Sequence, residues 1–456
     1  MTSVAKTGMV AYPGPMARRT DRRRRRGKTG EKRHGAPGLR PAPVRKTVKI
    51  ERLGRHGVGI AEDHGGRVYV PYTLPGEEVV VRISGERGIP LEILSPSPDR
   101  TEPFCPHFTA CGGCALQHAK AGFVAAWKRR IIVTALENRG LNADVAPVIN
   151  AHGAGRRRVT LHVRRDGGKF LAGFMRPRTH RLEPIEACPV LVPALGQAPE
   201  LAKALTGPLS AHANAFDVAM TATDSGLDVA IFGPGRRVAN AADDLDVRLA
   251  LVDLAARHDL ARLALGDEIL AARRPATLTM GPARVELPPA AFLQATSPGE
   301  ETIAGLAVQA VGSARRIADL FAGLGPFALR LGHKAAVRGI DSDGAALKAL
   351  AAAANAIGIR SCTTEVRDLF RRPLLADDLA PYDAVIFDPP RAGAQAQAQA
   401  LGASPVPVVV AVSCEPASFA RDAGALVAGG YRLDAVTPVD QFKASPHIEI
   451  VGIFRR

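Results

Sequence analysis

Four apolar runs in the C-terminal part of the chain each give out on a residue that can do chemistry. Ile317 to Leu320 carries Asp319 to a glycine turn at Gly323 and Gly325, and Ala336 to Ile340 ends on Asp341. Tyr382 to Phe387 ends on Asp388-Pro389-Pro390-Arg391, and Val406 to Val412 ends on Ser413-Cys414-Glu415-Pro416. Carboxylates at strand ends bind hydroxyls, glycines let a ligand approach the backbone, and a thiolate attacks electrophilic carbon. An acid where Asp341 stands, after the second strand, holds a ribose hydroxyl pair in doubly wound folds. Each feature alone is ordinary strand-end punctuation, and a lone Cys414 reads equally well as a buried thiol. Four of them at βαβ intervals along one edge predict a site.

A second constellation is Cys105-x5-Cys111-x2-Cys114, followed by Cys188 in the segment EACPVL. Six cysteines are too few for a disulfide scaffold in a chain of 456 residues, and the crowding of three of them suggests a metal. Four thiolates suit a 4Fe-4S cluster or a structural zinc, and residue types alone leave that choice open.

The elements that must position these groups are legible from texture. From about Ala291 helix and strand patterns alternate, which predicts an α/β domain with a mostly parallel sheet over 291–456. Short β-branched runs with Gly and Pro turns over 46–100 predict a small antiparallel barrel. Residues 101–290 read as a central mixed domain carrying the cysteines. Within it, Phe123, Val124, Trp127, Ile131, Ile132 and Leu136 repeat at helical spacing, predicting a helix over 121–138 that packs on the catalytic domain. Val159, Leu161 and Val163 alternate with polar residues as in a half-buried strand, just after the basic run Arg156 to Arg158.

Charge has one address. Residues 1–46 hold 14 Lys and Arg against Asp21 and Glu31, so this segment carries +12 of the chain's net +16. Such an arm points to nucleic-acid phosphates, with an anionic membrane surface or plain solubility as the other readings of the same run, and with almost no large apolar side chains residues 1–45 are expected to be a disordered tail. No apolar run reaches the roughly 18 residues of a membrane span, and the N-terminus lacks a secretory core. A soluble, cytoplasmic protein without membrane or protein partners is the expectation, with nucleic acid as the partner, which the family resemblance carried by the motifs narrows to RNA.

The motifs together are specific. FLQA at Phe292 to Ala295, DLFAGLGPF, FDPPRAGA, SCEPASFARD and the terminal HIEIVGIF resemble the S-adenosylmethionine-dependent RNA 5-methyluridine methyltransferases, which include the 23S rRNA and tRNA uracil-5 enzymes. GRHGVGIAEDHGGRVYVPYTLPGEEV resembles a TRAM domain, an OB-like RNA-binding barrel. The resemblance spans about residues 47–456 and implies a C-terminal Rossmann-like class I methyltransferase domain. By motif, it implies that Gln294, Phe321, Asp341, Asp368 and Asp388 line the S-adenosylmethionine site, with Cys414 as nucleophile and Glu449 as base.

Those two residue types answer a chemical need. Carbon 5 of uracil accepts a methyl group only after Cys414 adds to carbon 6 and makes an enolate; Glu449 then removes the carbon 5 proton and elimination frees the thiolate. A free thiol is mostly protonated at neutral pH, so the site is expected to depress the Cys414 pKa through backbone donors or a helix N-terminus. The target base must leave its stack, which favours single-stranded loops. Family resemblance also selects a 4Fe-4S cluster at Cys105, Cys111, Cys114 and Cys188 over zinc, and with it 23S rRNA over tRNA. Three positions depart from the family pattern: Pro326 for an Asn, Asp341 for a Glu and Glu415 for an Asn. The alternatives are a tRNA enzyme, a methyltransferase acting on nitrogen, and a non-catalytic RNA-binding or ribosome-assembly protein. His447 either orients the base or satisfies a hydrogen bond, and Cys362 reads as core filler.

Overall fold

The computed structural model describes residues 44–63, 66–233, 241–266 and 268–456. Nearly all of the expected 1–45 tail, and its phosphate-binding role, lies outside the described residues. Contacts among the described residues divide the chain into two compact units, the first from residue 44 to 120 with 175–183, and the second of residues 121–174 with 184–456.

In the first unit, strands β1 (Val44–Lys49), β2 (Arg52–Leu53), β3 (Gly59–Asp63), β4 (Gly66–Val70), β5 (Glu78–Ser84) and β6 (Arg87–Ser95) form one sheet ordered β1-β5-β6-β4-β3-β2. β1 and β2 are one stretch of chain. Between them Ile50 N–H donates to Glu77 O and Glu51 N–H to Ile60 O, so the stretch pairs with both edges and the sheet closes on itself. Closure removes the exposed edges that an open sheet of this size would present. Val48, Ile50, Ala61, Val68, Val70, Val79 and Val81 fill the interior. Buried Glu77 anchors the following segment, accepting from Leu74 and Ser97 N–H and pairing bidentately with Arg100 at 2.6 and 2.8 Å. Burial alone would raise the Glu77 pKa, but these donors outweigh it and hold the carboxylate charged.

The second unit opens with the helix Ala121–Glu137 and strand β7 (Ile149–Asn150). Then come β8 (Arg158–Asp166), β9 (Lys169–Met175), β11 (Ala215–Thr223), β12 (Gly226–Phe232), β13 (Arg262–Leu265) and β14 (Glu268–Ala272), while β10 (Leu182–Pro184) falls mostly in the first unit's residues. β9, β8, β11, β12, β13 and β14 are neighbours in that order. Val159, Leu161 and Val163 point into their core as the alternation predicts, while His162 and Arg164 reach Asp217 on the other face at 2.9 Å. The helix Leu245–Arg257, capped by Asp244, links parallel β12 and β13. Much of the stretch expected as a central mixed domain thus builds a sheet of its own, which β8 joins from Arg158. A hairpin of β15 (Thr277–Met280) and β16 (Ala283–Glu286) instead joins the catalytic core.

The C-terminal sheet holds β17 (Arg316–Leu320), β18 (Ala336–Asp341), β19 (Cys362–Val366), β20 (Ala384–Phe387), β21 (Val408–Ser413), β22 (Arg432–Asp440) and β23 (Glu449–Arg455). Its order is β19-β18-β17-β20-β21-β23-β22-β7, and β23 alone runs antiparallel to its neighbours. β21 starts at Val408 rather than Val406 because Pro407 has no N–H for the ladder. Helices cover both faces. Ser297–Val311 and Gly344–Ala356 pack on one, and Gln395–Ala403, Pro416–Ala428 and the Ala121–Glu137 helix on the other. Lys128 on that last helix is fully buried and pairs with Asp440 at the end of β22, 2.7 Å away. Chain order reverses between β17 and β20, which opens a crevice at the C-terminal edge of the sheet.

Candidate active site

Asp319, the last residue but one of β17, is fully buried; its Oδ2 accepts from Ala328 N–H at 3.2 Å, while Oδ1 meets no hydrogen-bond partner among the described residues. Burial, with the charges of Asp388 and Asp341 behind it, pushes this carboxyl well above the usual range. Next in the chain, Phe321 takes a left-handed φ of 62°, and Gly323 and Gly325 follow at positive φ. Asp341 braces the turn, accepting from Gly323 N–H and Asp343 N–H, both at 2.9 Å. After β19, Asp368 accepts from Phe370 and Arg371 N–H and so presents Phe370, whose ring centroid lies 5.4 Å from that of Phe321. Phe370 is a residue the motifs do not single out.

The antiparallel pairing of β21 with β23 brings the remaining groups together. Ser413 pairs with Ile450, so the next positions along the register are Cys414 and Glu449. Asp388, at the end of neighbouring β20, completes a buried acidic cluster. Burial, then repulsion from Asp388, raises Glu449 to about 8, with Gln441 and Arg391 pulling the other way. Burial raises Asp388 to about 7 against a hydrogen bond from Gln294. Cys414 is pushed up to about 12 by burial first, then by Glu449 and Asp388, with Arg391 opposing. The expected depression of this thiol is therefore reversed. The helix Pro416–Ala428 does begin beside it, but desolvation and two carboxylates outweigh any helix-terminus effect.

Side-chain amides connect the cluster. Gln294 Nε2 donates to Asp388 Oδ2 at 3.2 Å, and Gln441 Nε2 donates to Gln294 Oε1 at 2.5 Å and to Glu449 Oε1 at 3.1 Å. Sequence reasoning misses Gln441, since a loop glutamine carries no periodic or motif signal. His447 faces the Arg391 guanidinium at 2.8 Å and the Phe442 ring edge-on. Within the basic run Arg157 is structural, paired with Glu300 at 2.6 Å and donating to Gln294 O at 3.1 Å. Its neighbours sit over rings instead, Arg156 over Phe442 and Arg158 over the exposed Phe292, each 5.6 Å from the centroid. Cation and ring pairs of this kind stack nucleic-acid bases.

Cys105, Cys111 and Cys114 fall in the first unit and Cys188 in the second. None of the six cysteines is in a disulfide. In the cysteine loop, Cys111 N–H donates to His107 O, and Gly113 N–H to Cys111 Sγ at 3.4 Å. Among the described residues, no group of three or more His, Cys, Asp or Glu side chains is gathered as a metal-holding set. Cys362 packs at the edge of the core, and burial followed by the Asp319 charge raises it to about 11.

Comparison with known proteins adds to this geometry. No family model matches the chain. An RNA methyltransferase of Brucella suis, itself uncharacterised, is 42% identical over 410 residues, covering 90% of this chain and 97% of the relative. The 23S rRNA (uracil(1939)-C(5))-methyltransferase RlmD of Vibrio vulnificus is 30% identical over 441 residues, 92% of this chain and 98% of the relative. Among solved structures, the Pyrococcus abyssi tRNA (uracil-54, C5)-methyltransferase, in complex with S-adenosyl-L-homocysteine, superposes with a TM-score of 0.68 at 21% identity, over 90% of this chain and 99% of that one. That likeness establishes a shared fold.

Proposed function

Because the chain belongs to the RNA methyltransferase family, we propose that it transfers the methyl group of S-adenosylmethionine to carbon 5 of a uridine in RNA. The observation that carries this reading is the β21–β23 pairing, which sets a thiol and a buried carboxylate at facing positions on the ligand-binding edge of the sheet. Bound S-adenosylmethionine supplies an electrophilic methyl on a sulfonium. The residues present suit that group. Asp319 offers an unpartnered buried carboxylate oxygen, space above Gly323 is open, and Asp341 stands at the β18 end where a ribose is held. Gln294, Phe321, Asp341, Asp368 and Asp388 are the binding residues in this reading.

Cys414 adds to carbon 6 of the flipped base, and Glu449 removes the proton from carbon 5 before the thiolate leaves. For Cys414 to react at neutral pH its proton must pass to an ionised acceptor, and Asp388 beside it, raised only to about 7, is partly ionised there and can take it, which leaves Glu449 for the carbon 5 proton. Ribosomal RNA is the substrate of choice, supported by the RlmD relative and by the half-buried arginines Arg156 and Arg158 set over Phe442 and the exposed Phe292. The closed barrel of β1–β6 is assigned to RNA binding as a TRAM domain. Cys105, Cys111, Cys114 and Cys188 are assigned to a 4Fe-4S cluster with no step in the chemistry. Soft thiols outside disulfides, one already accepting a backbone N–H, suit that donor set. No helix among the described residues is long and apolar enough to cross a membrane.

The test is methyl transfer from labelled S-adenosylmethionine to 23S rRNA and to bulk tRNA from cells lacking the protein, with nucleosides resolved by chromatography. Label in 5-methyluridine from the rRNA arm is expected. Label only in tRNA moves the substrate, and label only on nitrogen overturns the reading. Iron and sulfide analysis of protein purified without oxygen tests the cluster separately, zinc alone being the contrary result.

A further inference from the structure

We propose that Gln441 is the positioning residue of the proton-removing step: it fixes one carboxylate oxygen of Glu449 and leaves the other to receive the carbon 5 proton. This rests on the reading of Glu449 as the base. Gln441 is 1% exposed and sits where β22 turns towards β23, so no bulk water can take its place. Its orientation is forced by the backbone. Thr296 N–H lies 3.2 Å from Gln441 Oε1, and a backbone N–H can only donate, so the atom facing it is the carbonyl oxygen. The amide nitrogen must then face the other way.

That nitrogen has two hydrogens and two acceptors, Gln294 Oε1 at 2.5 Å and Glu449 Oε1 at 3.1 Å. Its donors are fully used. Direction propagates onward, because Gln294 receives at its oxygen and so turns its own NH2 to Asp388. Thr296 is itself held: its Oγ1 donates to Ala151 O at 2.6 Å and accepts from Gly299 N–H at 3.0 Å. Even the helix start is cut to fit, since a Cβ at Gly299 would stand 2.7 Å from Gln441 Oε1. The result is a one-way chain of donors ending on the two acids that flank the thiol. A donor on Glu449 favours its charged form, the only form able to take a proton, in a place where burial works against charge.

The experiment uses total RNA from cells lacking the protein, grown with uridine tritiated at carbon 5, together with carbon-labelled S-adenosylmethionine. Tritium in water reports proton removal, and carbon label on RNA or on covalent protein–RNA adduct reports methyl transfer. Gln441→Met keeps the volume and removes the donor. Tritium release is expected to slow by about 10- to 100-fold, the loss of one hydrogen bond to a charged group, while methylated adduct accumulates. The acid limb of its pH–rate profile should also move to higher pH. Gly299→Ala, which leaves every atom of Gln441 but displaces its carbonyl, should give the same accumulation and covers the case in which Gln441→Met does not fold. Wild-type tritium release with an unmoved pH profile overturns the inference. So does an equal loss of methyl transfer and tritium release without adduct, which marks simple packing. Glu449→Gln separates the two levels: if it too releases tritium at the wild-type rate, the assignment of the base has failed rather than the role of Gln441.

Discussion

The reversed pKa of Cys414 makes a quantitative prediction about the protein without RNA. Moving a thiol from its ordinary 9.0 to about 12 lowers the thiolate population at neutral pH by about 1000-fold. The more basic thiolate is intrinsically a better nucleophile, with a Brønsted coefficient of about 0.4 to 0.5, which recovers about 15- to 30-fold. Net alkylation of Cys414 by iodoacetamide should therefore be about 30- to 60-fold slower than that of an ordinary thiol, before any steric shielding. Shielding scales the rate at every pH but cannot move the plateau, so the pH profile is the decisive readout. Time courses are followed by mass spectrometry of the Cys414 peptide against a free-thiol reference peptide. The rate should climb to beyond about pH 10 without levelling, with a shallower stretch where Asp388 and Glu449 lose their protons near about 7 and 8. Glu449→Gln removes one of the two opposing charges and should raise the rate above that shallow stretch. A plateau near the ordinary thiol pKa, or no effect of Glu449→Gln at alkaline pH, would refute the electrostatic argument.

Three further outcomes follow from the same geometry. Glu449 must be charged to accept a proton, so product release should rise as pH climbs through about 8 and fall below it, measured as turnover on RNA substrate. Glu449 and Asp388 have folded pKa values above their unfolded ones, so the folded state binds more protons and stability falls as pH rises from about 4 through about 7 to 8. Glu449→Gln and Asp388→Asn should accordingly melt higher than wild type at alkaline pH, with the gain vanishing in acid; a gain that persists in acid counts against the linkage. Lys128→Met leaves Asp440 in the core with only His152 and the Phe442 N–H facing it and should cost up to about 3 kcal/mol in urea unfolding, much of it recovered by adding Asp440→Asn; strict additivity of the two changes would contradict a buried pair.

What the chain discloses before folding is uneven, and the reasons are physical. The ends of β17, β18, β20 and β21 are legible because a buried parallel strand is a continuous apolar run that must stop at a polar or glycine turn. Which strands close the β1–β6 barrel is not, since that depends on one stretch pairing with both β5 and β3. Nor is the pKa of Cys414 legible. Its local sequence shows a helix start, whereas the groups that decide the outcome, Asp388 and Glu449, come from other strands. Gln441 is missed for the same reason. Its meaning lies in Thr296 N–H, which is 145 residues away in the chain. Arg156 to Arg158 reads as a uniform basic run, yet folding buries Arg157 against Glu300 and leaves its neighbours over rings.

In the proposed reaction Cys414 bonds to a uracil ring in RNA. Incubation with RNA containing 5-fluorouridine and with S-adenosylmethionine removes the proton that Glu449 would take, so the ring should stay bonded to sulfur. A methylated protein–RNA adduct is expected that survives denaturation, maps to the Cys414 peptide and disappears in Cys414→Ala. An adduct on any other residue, or methylated product from Cys414→Ala at the wild-type rate, would contradict it.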